Sequence, residues 1–337
     1  MKSVVSYAGL SLCICGMLTT VTPARAGLVL TQAGIDDGFS LTAFVSGYNF
    51  GGNYGPLSQA ILPSGNVVTG SVGDGKVYVF NDTDGQTLAS AVSSTPYACQ
   101  TGNCNFAMAT AGGQAYGAQA FGGVYEHFAN DGSFTPIPNL QAANLVSYLG
   151  MWANPVTGHL ISASNQGLVD IDPVAGTYTV INAGLFPDGV SVSPDGLTAY
   201  VENGGTLQSY SLVTGTLLST FFTGHGPDGT GVIIGGTHNG QVIVNNNDGT
   251  VGLLDPTKPN GDPSQFVIIA DGGTRGDFVS PDTSNGTLFL SQYEQVLRLS
   301  CGADCSIGTS PTPEPASLAM FGSGIAALAF FRRRKTA

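Results

Sequence analysis

Three carboxylates stand out by the residues around them. Asp188 and Asp228 each sit in a Pro-Asp-Gly segment, and Asp277 follows Arg275-Gly276 in a comparable place. Brought to one point, three carboxylates repel one another unless a cation or a water cluster screens them. Hard oxygen ligands of this kind suit calcium or magnesium. The plainer alternative is that each Asp bonds the backbone of its own turn. Other chemistry is thin. His127, His159, His225 and His238 lack metal-ligand spacing and read as surface or turn residues. Asn81-Asp82-Thr83-Asp84-Gly85 resembles the start of a calcium loop but lacks the later bidentate Glu, so it reads as a hairpin turn. No Ser-His-Asp order, phosphate loop or G-x-S-x-G is present. The aromatic, Gly-rich stretch Tyr48-Asn49-Phe50-Gly51-Gly52-Asn53-Tyr54 could stack on sugar rings or simply link two elements.

The elements that must position these residues repeat. One kind of turn recurs with Gly at 85, 132, 176, 215 and 261, at spacings of 47, 44, 39 and 46 residues. A second family interleaves with it: Pro63-Ser64-Gly65, Asn154-Pro155-Val156-Thr157-Gly158, Pro194-Asp195-Gly196, and Pro281 leading to Gly286. Short alternating or apolar runs lie between, such as Lys76–Phe80, Leu168–Ile171 and Thr287–Leu290. Periods of about 40 to 50 residues with some four strands each mark an all-β fold, the β-propeller. Helical patterning is absent from the interior. The count gives six blades, at 54–92, 97–140, 145–183, 185–222 and 226–270, with a sixth from Thr274 that stops after Gln295–Ser300. Phe39–Ser46 supplies its missing outer strand and closes the ring, which removes open sheet edges. A seventh blade within 90–125, or a pair of β-sandwiches, are the competing architectures. In a propeller each innermost strand starts near the central channel, which would bring Asp188, Asp228 and Asp277 together.

Composition limits the partners. Between Gly27 and Thr312 the cations are Lys76, Lys258, Arg275 and Arg298, against 21 acidic residues, a net charge of about −17. Such a surface repels phosphate backbones and anionic lipid heads, so no nucleic-acid partner is expected. Divalent cations and neutral sugars suit it better. Four cysteines in this region form two close pairs, Cys99/Cys104 and Cys301/Cys305. For an exported chain local disulfides are expected, although cross-pairing or a four-cysteine zinc site also satisfies the count.

One blade sharpens the comparison. Phe186-Pro187-Asp188-Gly189-Val190-Ser191-Val192-Ser193-Pro194-Asp195-Gly196, then Ala199-Tyr200-Val201-Glu202-Asn203, resembles the repeat of YVTN and NHL-type propellers. Those propellers serve mostly as binding or scaffolding surfaces, and relatives such as gluconolactonases and virginiamycin lyases are enzymes. The lyases use channel histidines. Here Asp188 and Asp228 stand where Pro-His-Gly would be expected, which argues against that chemistry.

The two ends of the chain read as addresses. Lys2, an apolar run from Val4 to Leu18 and Ala24-Arg25-Ala26 before Gly27 describe a secretory signal peptide, cleaved after Ala26. At the other end stand Pro313-Glu314-Pro315, an apolar run over 316–331, and Arg332-Arg333-Arg334-Lys335. The 16 apolar residues approach the roughly 17–25 that span a bilayer as a helix, and the basic end holds the terminus in the cytoplasm. The layout resembles the PEP-CTERM sorting domain, the tag of exosortase substrates, which implies an exosortase partner and cleavage near Pro-Glu-Pro; a plain membrane anchor is the alternative. The expected organisation is therefore signal peptide 1–26, propeller 27–305, linker 306–312 and sorting signal 313–335 with a transmembrane helix 316–331. The expected function is that of an exported, non-enzymatic binding or scaffold propeller at the cell surface or in the matrix, with a glycan or protein ligand. Exosortase substrates are commonly linked with exopolysaccharide and biofilm. A metal-dependent hydrolase or lactonase using Asp188, Asp228 and Asp277, and a structural spacer, are the alternatives.

Overall fold

The computed structural model describes residues 27–48, 55–97, 106–119 and 121–302. The signal peptide, the Pro-Glu-Pro motif with its apolar helix, and Cys99, Cys104 and Cys305 lie outside the described residues. Cys301 directly follows the last strand, is buried and is disulfide-bonded. Among the described residues no helix is long and apolar enough to cross a membrane.

Six antiparallel sheets follow one another along the chain. Blade 1 holds Pro56–Ile61, Val67–Ser71, Lys76–Phe80 and Ser93–Pro96. Blade 2 holds Phe106–Ala111, Gln114–Gln119, Tyr125–Phe128 and Phe134–Pro136. Blade 3 holds Ser147–Ala153, Leu160–Ser164, Gly167–Asp172 and Thr177–Asn182. Blade 4 holds Val190–Val192, Thr198–Glu202, Leu207–Ser211 and Leu217–Phe221. Blade 5 holds Pro227–Val232, Val242–Asn246, Val251–Leu254 and Phe266–Asp271. Blade 6 holds Val279–Asp282, Thr287–Ser291 and Gln295–Ser300. Its fourth strand is Ser40–Ser46, with Ser40 opposite Ser300 and Ser46 opposite Gln295. The ring of six closes through the N-terminal segment, and the described residues leave no seventh sheet.

Burial grades outward because each sheet is covered on both faces by its neighbours. Every residue of Pro56–Ile61 and of Val242–Asn246 is buried, whereas Thr177–Asn182 on the rim is largely exposed. Trp152, Ile161, Val190, Val192, Ile233, Ile243, Leu288 and Leu290 form part of one apolar cluster that runs across blades 3 to 6. Between strands, Asp side chains cap the turns. Asp172 Oδ1 accepts from the N–H groups of Val174 and Ala175, and Asp195, Asp255 and Asp282 each accept from the N–H two residues on. The recurring turn glycines take left-handed backbone, as at Gly176 and Gly215 with φ of 66° and 69°.

The fold departs from the sequence reading in local detail. Val29–Leu30 adds a fifth strand to blade 5, and Gln86–Thr87 leaves blade 1 to pair in parallel with Val45–Ser46 of blade 6. The outer strand of blade 1 therefore starts at Ser93, beyond the expected limit at 92. Two five-residue helices, Gln32–Asp36 and Pro138–Ala142, interrupt an interior expected to have none. The first is capped by Thr31, whose Oγ1 accepts from Gly34 N and donates to Ile268 O. The N-terminal segment thereby stitches blade 5 to blade 6. Tyr48, considered for sugar stacking, is fully buried and its hydroxyl bonds Thr69 at 2.8 Å, so it serves the core.

Candidate binding site at the channel mouth

The inner strands approach so closely that glycine is required between them. A Cβ at Gly150 would lie 2.2 Å from the Asp188 carbonyl oxygen, one at Gly189 2.2 Å from that of Asp228, and one at Gly229 1.9 Å from that of Asp277. The glycine of each Pro-Asp-Gly lets the next blade close in, and the preceding residue faces the same ring. Leu149, Asp188, Asp228 and Asp277 are thus equivalent positions of blades 3 to 6, as the sequence spacing indicated for the three acids.

Their side chains meet. Asp228 and Asp277 are buried, and Asp188 is partly so. The Asp188 and Asp228 carboxyls act on each other, which draws Asp188 down and pushes Asp228 up. Asp277 takes a hydrogen bond from the N–H of Phe278, in line with the turn-bonding alternative. Glu202, at the end of a blade 4 strand, accepts from Gly205 N and adds a fourth carboxyl to the group. Burial is the main force on all four and pushes each upward; Glu202 reaches about 7. For Asp228 the charges of Asp277, Asp188 and Glu202 push the same way. Arg275 opposes them, donating to Asp228 Oδ2 from Nη2 at 2.9 Å and Nε at 3.3 Å. Arg275 is the cation beside these carboxyls, and burial favours their neutral forms.

A metal fits this arrangement poorly. Arg275 occupies Asp228 Oδ2, one of the oxygens a cation would need. Among the described residues no group of three or more His, Cys, Asp or Glu is arranged to hold a metal ion. The expected calcium or magnesium role of Asp188, Asp228 and Asp277 thus gains no support from the geometry. The histidines bond near neighbours: His159 to Asp170 and His225 to Asp248, both at 2.7 Å, His127 to Gln114 and His238 to Gln241, both at 2.8 Å.

Beside the acids lies a shelf of exposed rings. Phe121, Tyr148 and Phe186 are 44%, 39% and 45% exposed. Tyr148 stands 6.2 Å from Phe121 and 5.4 Å from Phe186, ring centre to ring centre. Phe186 precedes Asp188 by two residues, and Tyr148 precedes Gly150, on which the Asp188 carbonyl packs. Phe121 and Phe186 come from loops, and Tyr148 from the start of the first strand of blade 3, on the face where the chain enters the inner strands. Phe121 takes φ of 58°, which a bulky side chain rarely adopts, and its N–H donates to the Tyr148 carbonyl at 2.9 Å. The sequence reading missed the shelf. Its one available signal was Phe186, an aromatic directly before Pro-Asp-Gly. Glu202 and Arg275 lie within turn and strand motifs that carry no signal of a role at the channel.

Comparison with known proteins bears on both the tail and the fold. Residues 311–335 match the PEP-CTERM protein-sorting motif. No curated protein matches the chain in sequence. Its fold is similar to that of a gluconolactonase from Xanthomonas campestris described as important in glucose secondary metabolic pathways, with a TM-score of 0.53 and 13% identity over 81% of this chain and 94% of that one. A structural-genomics target classed with the gluconolactonases gives 0.55 and 14%, over 83% and 99%. A streptogramin B lyase gives 0.47 and 11%, over 78% and 97%. At such identities the likeness concerns the six-bladed fold alone. The sorting motif marks an exported, membrane-anchored precursor that an exosortase processes for the cell surface or the extracellular space.

Proposed function

We propose that this exported propeller is a non-enzymatic glycan-binding protein of the cell surface or extracellular matrix, and that it takes its ligand at the channel mouth. The observation that carries this reading is the shelf of Phe121, Tyr148 and Phe186, rings held out to solvent beside buried hydrogen-bonding groups. Solvent-exposed aromatic clusters are uncommon on a surface that only repels water-soluble neighbours, and sites for polar ligands pair apolar faces with a few placed polar groups. The C–H face of a pyranose stacks on such rings, and the carboxyls and Arg275 meet its hydroxyls. Exopolysaccharide is the ligand class that agrees with the address.

Affinity electrophoresis of the processed protein in gels containing exopolysaccharide from the exporting cell tests this. Retardation is expected, and Tyr148→Ala with Phe186→Ala should weaken it at least tenfold at unchanged melting temperature. Each aromatic contact contributes about 0.5–1.5 kcal/mol beyond its buried area, and 1.4 kcal/mol is a factor of ten. Equal retardation of the double variant would remove the shelf from the account. The neighbouring carboxyls of Asp188 and Asp228, pushed upward by burial, are a specific reason to consider acid–base chemistry instead. Turnover of a sugar lactone by the same preparation, lost in Asp228→Asn, would replace the binding reading with a hydrolase.

A further inference from the structure

We propose that the rim of blades 3 and 4 is a self-association surface, on which a second copy of this chain packs about a twofold axis. Six aliphatic side chains, Val156, Val180, Leu197, Val213, Leu217 and Leu218, stand there between 46% and 75% exposed. Single exposed aliphatics are ordinary, but these are neighbours. A Cβ on Gly196, next to Leu197, would lie 3.0 Å from Val156 Cβ. The Leu197 carbonyl takes a hydrogen bond from Leu212 N at 2.8 Å, and Val213 follows Leu212. A Cβ on Gly215 would lie 2.1 Å from the carbonyl oxygen of Ile181, next to Val180, and Asn182 Nδ2 donates to Gly215 O at 3.0 Å. Just beyond Gly215 the outer strand of blade 4 opens with Leu217 and Leu218. Ser219 stands opposite Ser209 and Leu217 opposite Tyr210, so Leu218 is the extra residue of a bulge. A bulge takes side chains out of strict alternation, and both leucines remain exposed.

Charge and placement select a second copy as the occupant. Residues 77–257 contain no Lys or Arg, so blades 2, 3 and 4 have none, and residues 203–227 contain no Asp or Glu either. A bilayer or an acidic protein would need basic residues around the apolar area. A copy of the same acidic chain needs an area without charge, and an apolar area complements itself across a twofold axis. Asp195, two residues before Leu197, is the acid at the border, and its Oδ1 accepts from Ser193 Oγ and Leu197 N. The rest of the rim is less open. Val29–Leu30 pairs with the outer strand of blade 5 and Gln86–Thr87 with that of blade 6, while the outer strands of blades 1 and 2 end in Pro96 and Pro136. Blade 3 also stands across the ring of six from blade 6, where the chain leaves after Ser300 toward its sorting motif. Two tethered copies can therefore meet on the sides away from their tethers. Strand addition is not the mode, because the Thr220 carbonyl of the blade 4 outer strand already accepts from Asn260 Nδ2 at 2.9 Å. The contact is made by side chains.

Sedimentation velocity of the processed protein over a concentration series tests this. A monomer–dimer equilibrium is expected, with a Kd on the order of 10 μM, as for contacts at the small end of specific interfaces. Raising sodium chloride from about 50 mM to about 0.5 M should tighten it severalfold, because screening weakens the repulsion between two acidic copies and leaves apolar burial intact. Leu218→Asp sets a carboxylate against the same carboxylate of the other copy and should weaken the dimer roughly tenfold or more. Val213→Ser, which keeps the test decisive where the first variant folds poorly, should weaken it about threefold. Val92→Ser, at a residue of blade 1 that is 56% exposed, should change nothing. A monomer at every concentration, a dimer that Leu218→Asp and Val213→Ser leave intact, or one that salt weakens overturns the proposal. Growth beyond two copies overturns the twofold arrangement. A monomer that sediments with phosphatidylcholine vesicles, and no longer does so as Leu218→Asp, overturns it in favour of a bilayer.

Discussion

Arg298→Met is expected to cost about 3–5 kcal/mol of stability, the range for breaking a buried ion pair from one side. Its guanidinium donates Nε to Asp84 Oδ1 at 2.7 Å, Nη2 to Asp82 and Nη1 to Asp282, with Thr287 Oγ1 at 2.9 Å. Phe44 and Phe289 cover it, with ring centres 5.1 and 4.8 Å from the guanidinium carbon. Asp282 is fully buried, so removing the cation strands a charge out of reach of water. The contact also joins three parts of the chain: blade 6, the blade 1 loop at residues 82–84, and the closing strand Ser40–Ser46 that carries Phe44. Methionine keeps most of the volume, so the loss reports charge and hydrogen bonds rather than a cavity. For a domain of this size a fall in melting temperature on the order of 10 °C follows, and Arg298→Met with Asp282→Asn should recover part of it. A single variant melting within about 2 °C of the parent would show that closure depends on strand pairing alone.

Melting temperature should also fall as pH rises from about 5 to 8, against the habit of most proteins. Glu126 and Glu202 are 5% and 6% exposed, and burial raises both from 4.5 to about 7. Tyr97 donates to Glu126 at 2.9 Å and offsets part of that rise. An acid whose pKa is higher in the folded chain binds its proton more tightly there. Its contribution is complete below about 4.5, where both states are protonated, and is lost as pH climbs through about 7. At 1.36 kcal/mol per unit, each group accounts for roughly 3 kcal/mol at most. The raised acids Asp188, Asp228 and Asp277 act in the same direction. Calorimetric scans should show a drop on the order of 5–10 °C between pH 5 and pH 8, and Glu126→Gln with Glu202→Gln should flatten it. A profile that rises toward pH 8 would mean these carboxyls are ionised in the folded state.

The repeat was legible because each blade ends its strands at turns that need Gly in left-handed backbone and Asp as a cap. The spacing of such turns survives even where strand sequences diverge. The closing strand was legible too, since Phe39–Ser46 alternates and had no blade of its own. Dipeptide strands such as Val29–Leu30 and Gln86–Thr87 carry no periodicity, and nothing in them announces a partner. Asp82 and Asp84 looked like turn residues, and they are, but their service to Arg298 spans more than 200 residues of sequence. The candidate site divides the same way. Pro-Asp-Gly repeats placed Asp188 and Asp228 at equivalent positions, whereas Phe121 and Phe186 stand in two unrelated loops, Tyr148 at the start of a strand, and they become neighbours only once the blades pack.

The claim at the centre is that ligand seats on the channel mouth of the processed protein. Hydroxyl-radical footprinting with and without saturating exopolysaccharide from the exporting cell addresses it residue by residue. Phe121, Tyr148 and Phe186 should lose most of their labelling when ligand is present, while Phe222, 81% exposed on the outer edge of blade 4, should keep its own. Unchanged labelling of the three rings, or protection of Phe222 in their place, would contradict the account.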